Sequence, residues 1–297
     1  MKTTYTPKVS VIMPSYNAGN ALLLAVQSIC QQSLQEWELI LLDDGSSDGS
    51  VEKIKNLFDN RIRIFKNEIN KGLSYRLNQG IFLCKSQYIA RMDADDISFT
   101  RRLEVQFNFL EKNKDIDLIS SKTLVFNSYN YQPLGLLTYK KNHNSIVGMP
   151  WKSIPMPHPT WMGRTEWFKK YLYKIPEVLR AEDQELLLRS MTDSKFYSYP
   201  EVLLGYRQYS FNFKKILVAR ISLLKTQIYY FINRKFFFYL LASIIIFSLN
   251  LFIDIILKLL KIPRKFFLQK IHMPSDSIRT EFASLITILK KKSVGLE

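Results

Sequence analysis

Residues 87–96 read QYIARMDADD, and this stretch decides the fold. Gln87–Met92 is a short run of β-forming residues, and it stops abruptly at Asp93-Ala94-Asp95-Asp96. The same arrangement recurs upstream. Lys8–Met13 (KVSVIM) ends in Pro14-Ser15-Tyr16-Asn17, and Trp37–Leu42 (WELILL) ends in Asp43-Asp44-Gly45-Ser46. Arg61–Phe65 (RIRIF) alternates as another strand. Between them, Ala21–Cys30, a stretch from Asp48 to about Phe58, and Leu73–Cys84 are helix-forming. Strands separated by single helical stretches predict βαβ units and a parallel sheet flanked by helices, the α/β class. Ligands of such sheets bind beyond the carboxyl ends of the strands, where these polar clusters converge.

Each cluster admits a chemical reading and a plain one. In an extended Asp-x-Asp, Asp93 and Asp95 point to one side, so both carboxylates can face one divalent cation. Mg²⁺ and Mn²⁺ take oxygen ligands and bridge carboxylates to phosphates. An isolated Asp-x-Asp is otherwise a solvated turn. Asp43 and Asp44 can accept from a base N–H or a ribose hydroxyl, or simply close a strand-to-helix turn at Gly45. Further on, Glu182-Asp183 opens the apolar helix EDQELLLR. The pair either complements the positive helix end or supplies a general base for a hydroxyl nucleophile.

Taken together, these motifs resemble the family 2 glycosyltransferases of the GT-A fold, especially bacterial enzymes that build lipopolysaccharide, capsule or similar surface glycans. The likeness covers about residues 7–210 and rests on VSVIMPSYN (9–17), LLDDGSSDGS (41–50), NKGLSYRLNQGI (70–81), YIARMDADD (88–96) with RRLEVQ (101–106), HPTWM (158–162) and AEDQELLLR (181–189). It implies a GT-A catalytic domain over 1–210, with a nucleotide-sugar half at about 1–98 and an acceptor half at 99–210. Pro14, Ser15, Tyr16, Asn17, Asp43 and Asp44 would surround the nucleotide, and Lys71 or Arg76 would lie near its phosphates. Asp95 would ligate Mn²⁺ or Mg²⁺, with Asp93 beside it orienting the sugar or ribose. Asp183 matches the catalytic base, with Glu182 adjacent. A UDP-sugar is the implied donor, an inverting single displacement the implied reaction, and a hydroxyl of a glycan or lipid-linked acceptor the implied target.

The chain also departs from the family. It lacks the QxxRW signature of processive synthases, and Tyr206-Arg207-Gln208-Tyr209 stands in roughly that place. Tyr171-Leu172-Tyr173 replaces a Gly-Gly-Tyr before the acidic pair. His158, Trp161 and Arg207 are acceptor-side candidates, although His158 and Trp161 equally suit a packed core. The loop-rich stretch 129–159 reads as a lid or acceptor-facing segment. Two other readings of the whole are a polyprenyl-phosphate sugar synthase and a catalytically silent nucleotide-sugar-binding module.

Residues 211–297 form a basic, apolar tail. From Phe211 onward there are 15 basic and four acidic residues, whereas residues 1–210 are far closer to balance. Phe213–Asn233 is helical and partly amphipathic, and Phe236–Leu249 (FFFYLLASIIIFSL) carries no charge. Ser243, Asn250, Asp254 and Lys258 recur on one helical face, and basic residues flank both ends (Arg234, Lys235; Lys258, Lys261, Arg264, Lys265). That pattern predicts a helix lying in a membrane interface, wet along one stripe, at the cytoplasmic face of a bacterial inner membrane; a single crossing and a helix buried against the catalytic domain or a second subunit are the alternatives. A nucleic-acid partner is not expected, since no reading motif accompanies the charge. The N-terminus MKTTYTPKVSVIM lacks a signal-peptide core, so secretion is not expected. Cys30 and Cys84 read as buried free thiols. A dimer is compatible with the sequence.

Overall fold

The computed structural model describes residues 6–176, 178–209, 212–260 and 272–293. Its elements run β1 (Val9–Ser15), α1 (Asn20–Cys30), β2 (Trp37–Asp43), α2 (Ser50–Lys55), β3 (Ile62–Lys66), α3 (Leu73–Leu83), β4 (Tyr88–Arg91), β5 (Ile97–Ser98), α4 (Arg102–Lys112), β6 (Leu118–Asn127), β7 (Pro133–Leu136), α5 (His143–Val147), β8 (Met162–Arg164), α6 (Thr165–Lys170), α7 (Glu182–Ser190), β9 (Phe196–Gln208), α8 (Phe213–Asn233), α9 (Phe237–Leu259) and α10 (Asp276–Ser293). The sheet order is β3-β2-β1-β4-β8-β6-β9-β5, with β7 paired to β6.

The first half is the expected parallel βαβ unit: β2 and β4 flank β1, and β3 follows β2, all in parallel register. The second half is mixed. β8 runs antiparallel to β4 and to β6, while β6 and β9 pair in parallel. The switch between β1 and β4 opens a crevice at their carboxyl ends.

Alternation along β1 explains the layers. Val9, Val11 and Met13 face α1, α2 and α4 through Leu22, Val26, Val51, Ile54 and Leu103. Ile12 faces the other way, with Leu77 and Ile81 of α3, Phe168 of α6 and Leu186–Leu188 of α7. Buried on both faces, β1 and β2 therefore read as continuous apolar runs.

A third cluster closes the molecule. Phe282, Leu285, Ile286 and Leu289 of α10 pack on Leu24, Ile97, Phe99, Leu124 and Phe126. Ser293 donates to Gln27 of α1 at 2.9 Å. The chain leaves the body in the α8–α9 hairpin and returns to it at its last helix.

The hairpin corrects the expectation of a wet stripe. Ser243 and Asp254 are buried, and Asp254 accepts from Arg220 Nε of α8 at 2.5 Å. The polar face of α9 is spent on α8. Phe237, Phe238, Leu241, Ile245, Leu249 and Phe252 are left exposed. By length and apolarity α9 could cross a membrane, with a mean hydropathy of 2.5 over its window. The flanking Lys261, Arg264 and Lys265 lie outside the described residues. Cys30 and Cys84 are free and half-buried, and burial pushes their thiols up to about 11 and about 12.

Candidate active site

The loops after β1 and β2 hold each other in place. Ser15 O accepts from Asp44 N, Asn17 N donates to Ser46 Oγ, and Asn17 Oδ1 accepts from Ser47 N at 2.9 Å. Asn17 sits at φ +49°, a conformation Asn tolerates better than most residues. Gly45 turns at φ +83°, and a Cβ there would stand 3.2 Å from the Glu68 carbonyl oxygen, so only glycine fits without strain. Pro14 is half-buried, Ser15 buried and Tyr16 exposed above them.

Asp43 and Asp44 do different things. Asp43 is fully buried and accepts from Ser46 N at 2.9 Å. Asp44 receives the backbone N–H of Lys71 at 3.0 Å and of Gly72 at 2.9 Å, which fixes the loop before α3. The structure also separates Lys71 from Arg76. Arg76 is buried, its guanidinium donating to the carbonyls of Asp43 and Phe65 at 2.6 Å, so it braces the loops from beneath. Lys71 is exposed on the loop, its ammonium 4.8 Å from the Tyr75 ring centroid.

At the end of β4, carboxylate oxygens of Asp93, Asp95 and Asp96 lie within 4.8 Å of one another. Burial and the neighbouring Asp93 push Asp95 up to about 6, and burial raises Asp96 well above the usual carboxylate range. One buried oxygen of Asp96 has no hydrogen-bond partner. An all-oxygen set of crowded carboxylates that resist ionising beside one another suits a hard divalent cation such as Mg²⁺ or Mn²⁺. Behind the cluster, Arg207 donates its backbone N–H to Asp96 at 2.8 Å and its Nε–H to the Asp95 carbonyl at 2.6 Å. Arg102, buried in α4, donates to the Arg91 carbonyl at 2.6 Å. Gln106 reaches the Thr160 carbonyl at 2.8 Å, so the RRLEVQ motif supports the site from below.

The acidic pair of α7 faces the same crevice. Arg91, the last residue of β4, joins the two groups. Its guanidinium pairs with Asp93 at 2.6 Å, and Glu182 and Tyr173 also act on its charge. Burial opposes that charge, but the Asp93 carboxylate beside it holds it above its ordinary value. His158 is buried, with Nε2 2.7 Å from the Tyr173 hydroxyl and Nδ1 3.7 Å from Glu182. Burial and Arg91 push its ring down to about 3, so it stays neutral near pH 7 and makes no ion pair with Glu182. Glu182 and Asp183 are both raised by burial. For Asp183, His158 opposes the shift and Glu182 reinforces it. Raised carboxyls in a cleft are poised for proton transfer nearer neutrality.

Not every acceptor-side candidate lines the opening. Trp161 is fully buried, its indole N–H donates to the Met156 carbonyl at 3.0 Å, and its ring lies 4.5 Å from that of His158. It packs the floor. Arg207 is likewise buried and committed to the Asp93–Asp96 turn and the Ser128 carbonyl. Arg91, Tyr173 and Tyr209, whose hydroxyl donates to Asp95, were not among the sequence candidates. An arginine inside the otherwise apolar YIAR strand was the available signal.

The chain belongs to glycosyl transferase family 2, whose family model matches residues 10–172. It is a glycosyltransferase. It is 35% identical over 215 residues to the "Putative glycosyltransferase EpsE" of Bacillus subtilis (strain 168), covering 70% of this chain and 76% of that one. It is 34% identical over 140 residues to the Escherichia coli "UDP-Glc:alpha-D-GlcNAc-diphosphoundecaprenol beta-1,3-glucosyltransferase WfgD", covering 47% of this chain and 49% of that relative. Among solved structures, the "Mannosyltransferase PcManGT from Pyrobaculum calidifontis in complex with GDP-Man and Mn2+" superposes with a TM-score of 0.58 at 16% identity, covering 78% of this chain and 65% of that one. At that identity the likeness speaks for the GT-A fold.

Proposed function

We propose that the protein is a metal-dependent, inverting glycosyltransferase. It moves a sugar from a nucleotide-diphospho-sugar to a hydroxyl of a lipid-linked glycan at the cytoplasmic face of a membrane. The observation that carries this reading is the shared crevice: the Asp93–Asp96 carboxylates and the Glu182–Asp183 pair meet around Arg91. One group suits a donor diphosphate and its cation, the other an acceptor hydroxyl.

The nucleotide lies over Pro14–Asn17 and Asp43–Asp44, with Lys71 as the exposed cation nearest its phosphates. Asp95 and Asp93 would hold the cation, which when bound would neutralise the charge of the leaving diphosphate. Arg91 pairs with Asp93 and orients it. Asp183 accepts the proton of the acceptor hydroxyl while that oxygen attacks the anomeric carbon from the face opposite the diphosphate. One displacement inverts the configuration. Glu182, held between Arg91 and His158, positions the acceptor rather than taking the proton. The exposed face of α9 and the basic tail supply the membrane contact. WfgD's printed name, which specifies a UDP-sugar donor and a lipid-diphosphate acceptor, supports the same substrate classes here.

The test is nucleoside-diphosphate release from a panel of nucleotide-sugars with Mn²⁺ and solubilised lipid-linked acceptors. Release with one donor, abolished by EDTA and by Asp95→Ala, is expected. Release indifferent to both would sink the metal assignment, and no release with any donor would favour a silent binding module. Turnover that survives Asp183→Asn would point to a phosphate acceptor, which needs no deprotonation.

A further inference from the structure

A cavity of about 540 Å³ opens between α7 and α8, away from the nucleotide crevice. Its charged lining is unbalanced. Lys174, Arg189, Lys225 and Arg234 face a single described carboxylate, Glu185. Glu185 is already engaged twice, by Lys174 at 3.0 Å and by Arg189 at 3.0 Å. Lys225 and Arg234 have no carboxylate partner among the described residues, and the Arg234 guanidinium lies over the Tyr230 ring at 5.6 Å.

The rim is apolar and turned outward. Leu179 and Tyr229 are 60% and 64% exposed. Arg234 caps α8, and α9 begins three residues later at the exposed Phe237. The floor is α7 itself. Glu185 lies one turn beyond Glu182, about 4.5 Å further along the helix axis. A basic cavity with a greasy rim, one helical turn from the Glu182–Asp183 pair, matches an amphiphile with an anionic head.

We infer that this cavity binds the phosphate or diphosphate headgroup of the lipid-linked acceptor. The lipid chain leaves over Leu179 and Tyr229 toward the apolar face of α9. The inference rests on the acceptor reading above and assigns it a site. Four cations against one carboxylate leave the lining with a positive excess that suits a phosphate or diphosphate, and Arg234, which is not engaged by Glu185, presents the planar donor fork suited to phosphate oxygens. The headgroup would hold the lipid in place while the glycan reaches Asp183.

The test is equilibrium binding to the full chain of four soluble probes: farnesyl diphosphate, farnesyl monophosphate, farnesol and inorganic pyrophosphate. Donor binding is followed in parallel with UDP and Mn²⁺. Farnesyl diphosphate should bind tightest, and Lys225→Glu with Arg234→Glu should weaken it at least ten-fold while leaving UDP binding unchanged. Unchanged farnesyl diphosphate binding in that double variant would overturn the site. So would farnesol binding as tightly as its diphosphate. Pyrophosphate binding as tightly as farnesyl diphosphate would assign the cavity to a free anion and overturn the lipid. The two readings fail separately. Donor turnover with unaltered probe binding in the double variant sinks the cavity alone. Charge-dependent probe binding without turnover of any donor sinks the glycosyl transfer and leaves the cavity standing.

Discussion

At the residue scale, the chemistry turns on which carboxylates can be ionised at once. Asp183 is half-buried beside Glu182, and both sit above their ordinary range. A general base works only when deprotonated. A raised carboxyl therefore starts to lose that form at a higher pH than an exposed aspartate, whose midpoint is about 3.9. We predict an acid limb in the pH profile of kcat displaced upward from the usual carboxylate range. Asp183→Asn should lower kcat by roughly 10²- to 10⁴-fold with donor affinity kept. A variant that retains the wild-type rate, or a profile flat down to the ordinary aspartate range, would count against the assignment. The sequence made this pair legible because two acids at the head of an apolar helix are conspicuous. It left open what they face. Arg91 is what they face, and it is passed over in the sequence because the Gln87–Met92 strand runs straight through it and its spacing names no partner.

At the scale of elements, the polar stripe of α9 shows how far periodicity carries. Ser243 and Asp254 were correctly placed on one face, but spacing cannot say whether that face meets water or a neighbouring helix. The answer is α8, through the Arg220–Asp254 pair. A buried ion pair that loses one partner strands the other charge. Asp254→Ala should therefore destabilise the protein by about 3–5 kcal/mol, and the double change with Arg220→Leu should recover most of that loss. Thermal melts of the two single variants and the double variant measure the coupling, and additive losses would refute it. The helix α10 was also readable but passed over: Ile278, Phe282, Leu285, Ile286 and Leu289 recur at helical spacing behind the more obtrusive apolar run. Phe282 packs within 5.1 Å of the Phe126 ring and 5.9 Å of Phe99, directly behind β5. Phe282→Ala should cost about 3–5 kcal/mol, seen as a lower denaturation midpoint. Loss of the α10 contact should also loosen the Asp93–Asp96 turn, measurable as a weaker affinity for Mn²⁺.

Across the whole molecule, two kinds of surface lie together. The hairpin exposes a broad apolar face, and the tail that contains it holds 15 basic residues against four acidic. Attraction to anionic lipid is worth about 1 kcal/mol per basic residue near the surface and is screened by salt, whereas apolar insertion is not. Co-sedimentation should favour anionic over neutral vesicles at low salt. A residual bound fraction should persist at high salt and disappear in Phe238→Asp/Leu241→Asp/Phe252→Asp. Binding that salt abolishes outright in the wild type would mean the apolar face is covered by something other than lipid. The parallel half of the sheet was legible throughout, because strands buried on both faces leave unbroken apolar runs. The mixed half was not, because its pairings join segments far apart in the chain and no local pattern records them.

The return of α10 to the body sets an order of events during synthesis. The strands that carry Asp93–Asp96 and the helix that carries Asp183 emerge from the ribosome long before the segment that closes over their back. At ~5–20 residues per second, that delay is on the order of ten seconds. The α8–α9 hairpin, residues 213–259, emerges ahead of α10. Until that last helix follows, the back of the Asp93–Asp96 turn stays uncovered, so the site is completed by α10 rather than by the strands that carry its carboxylates.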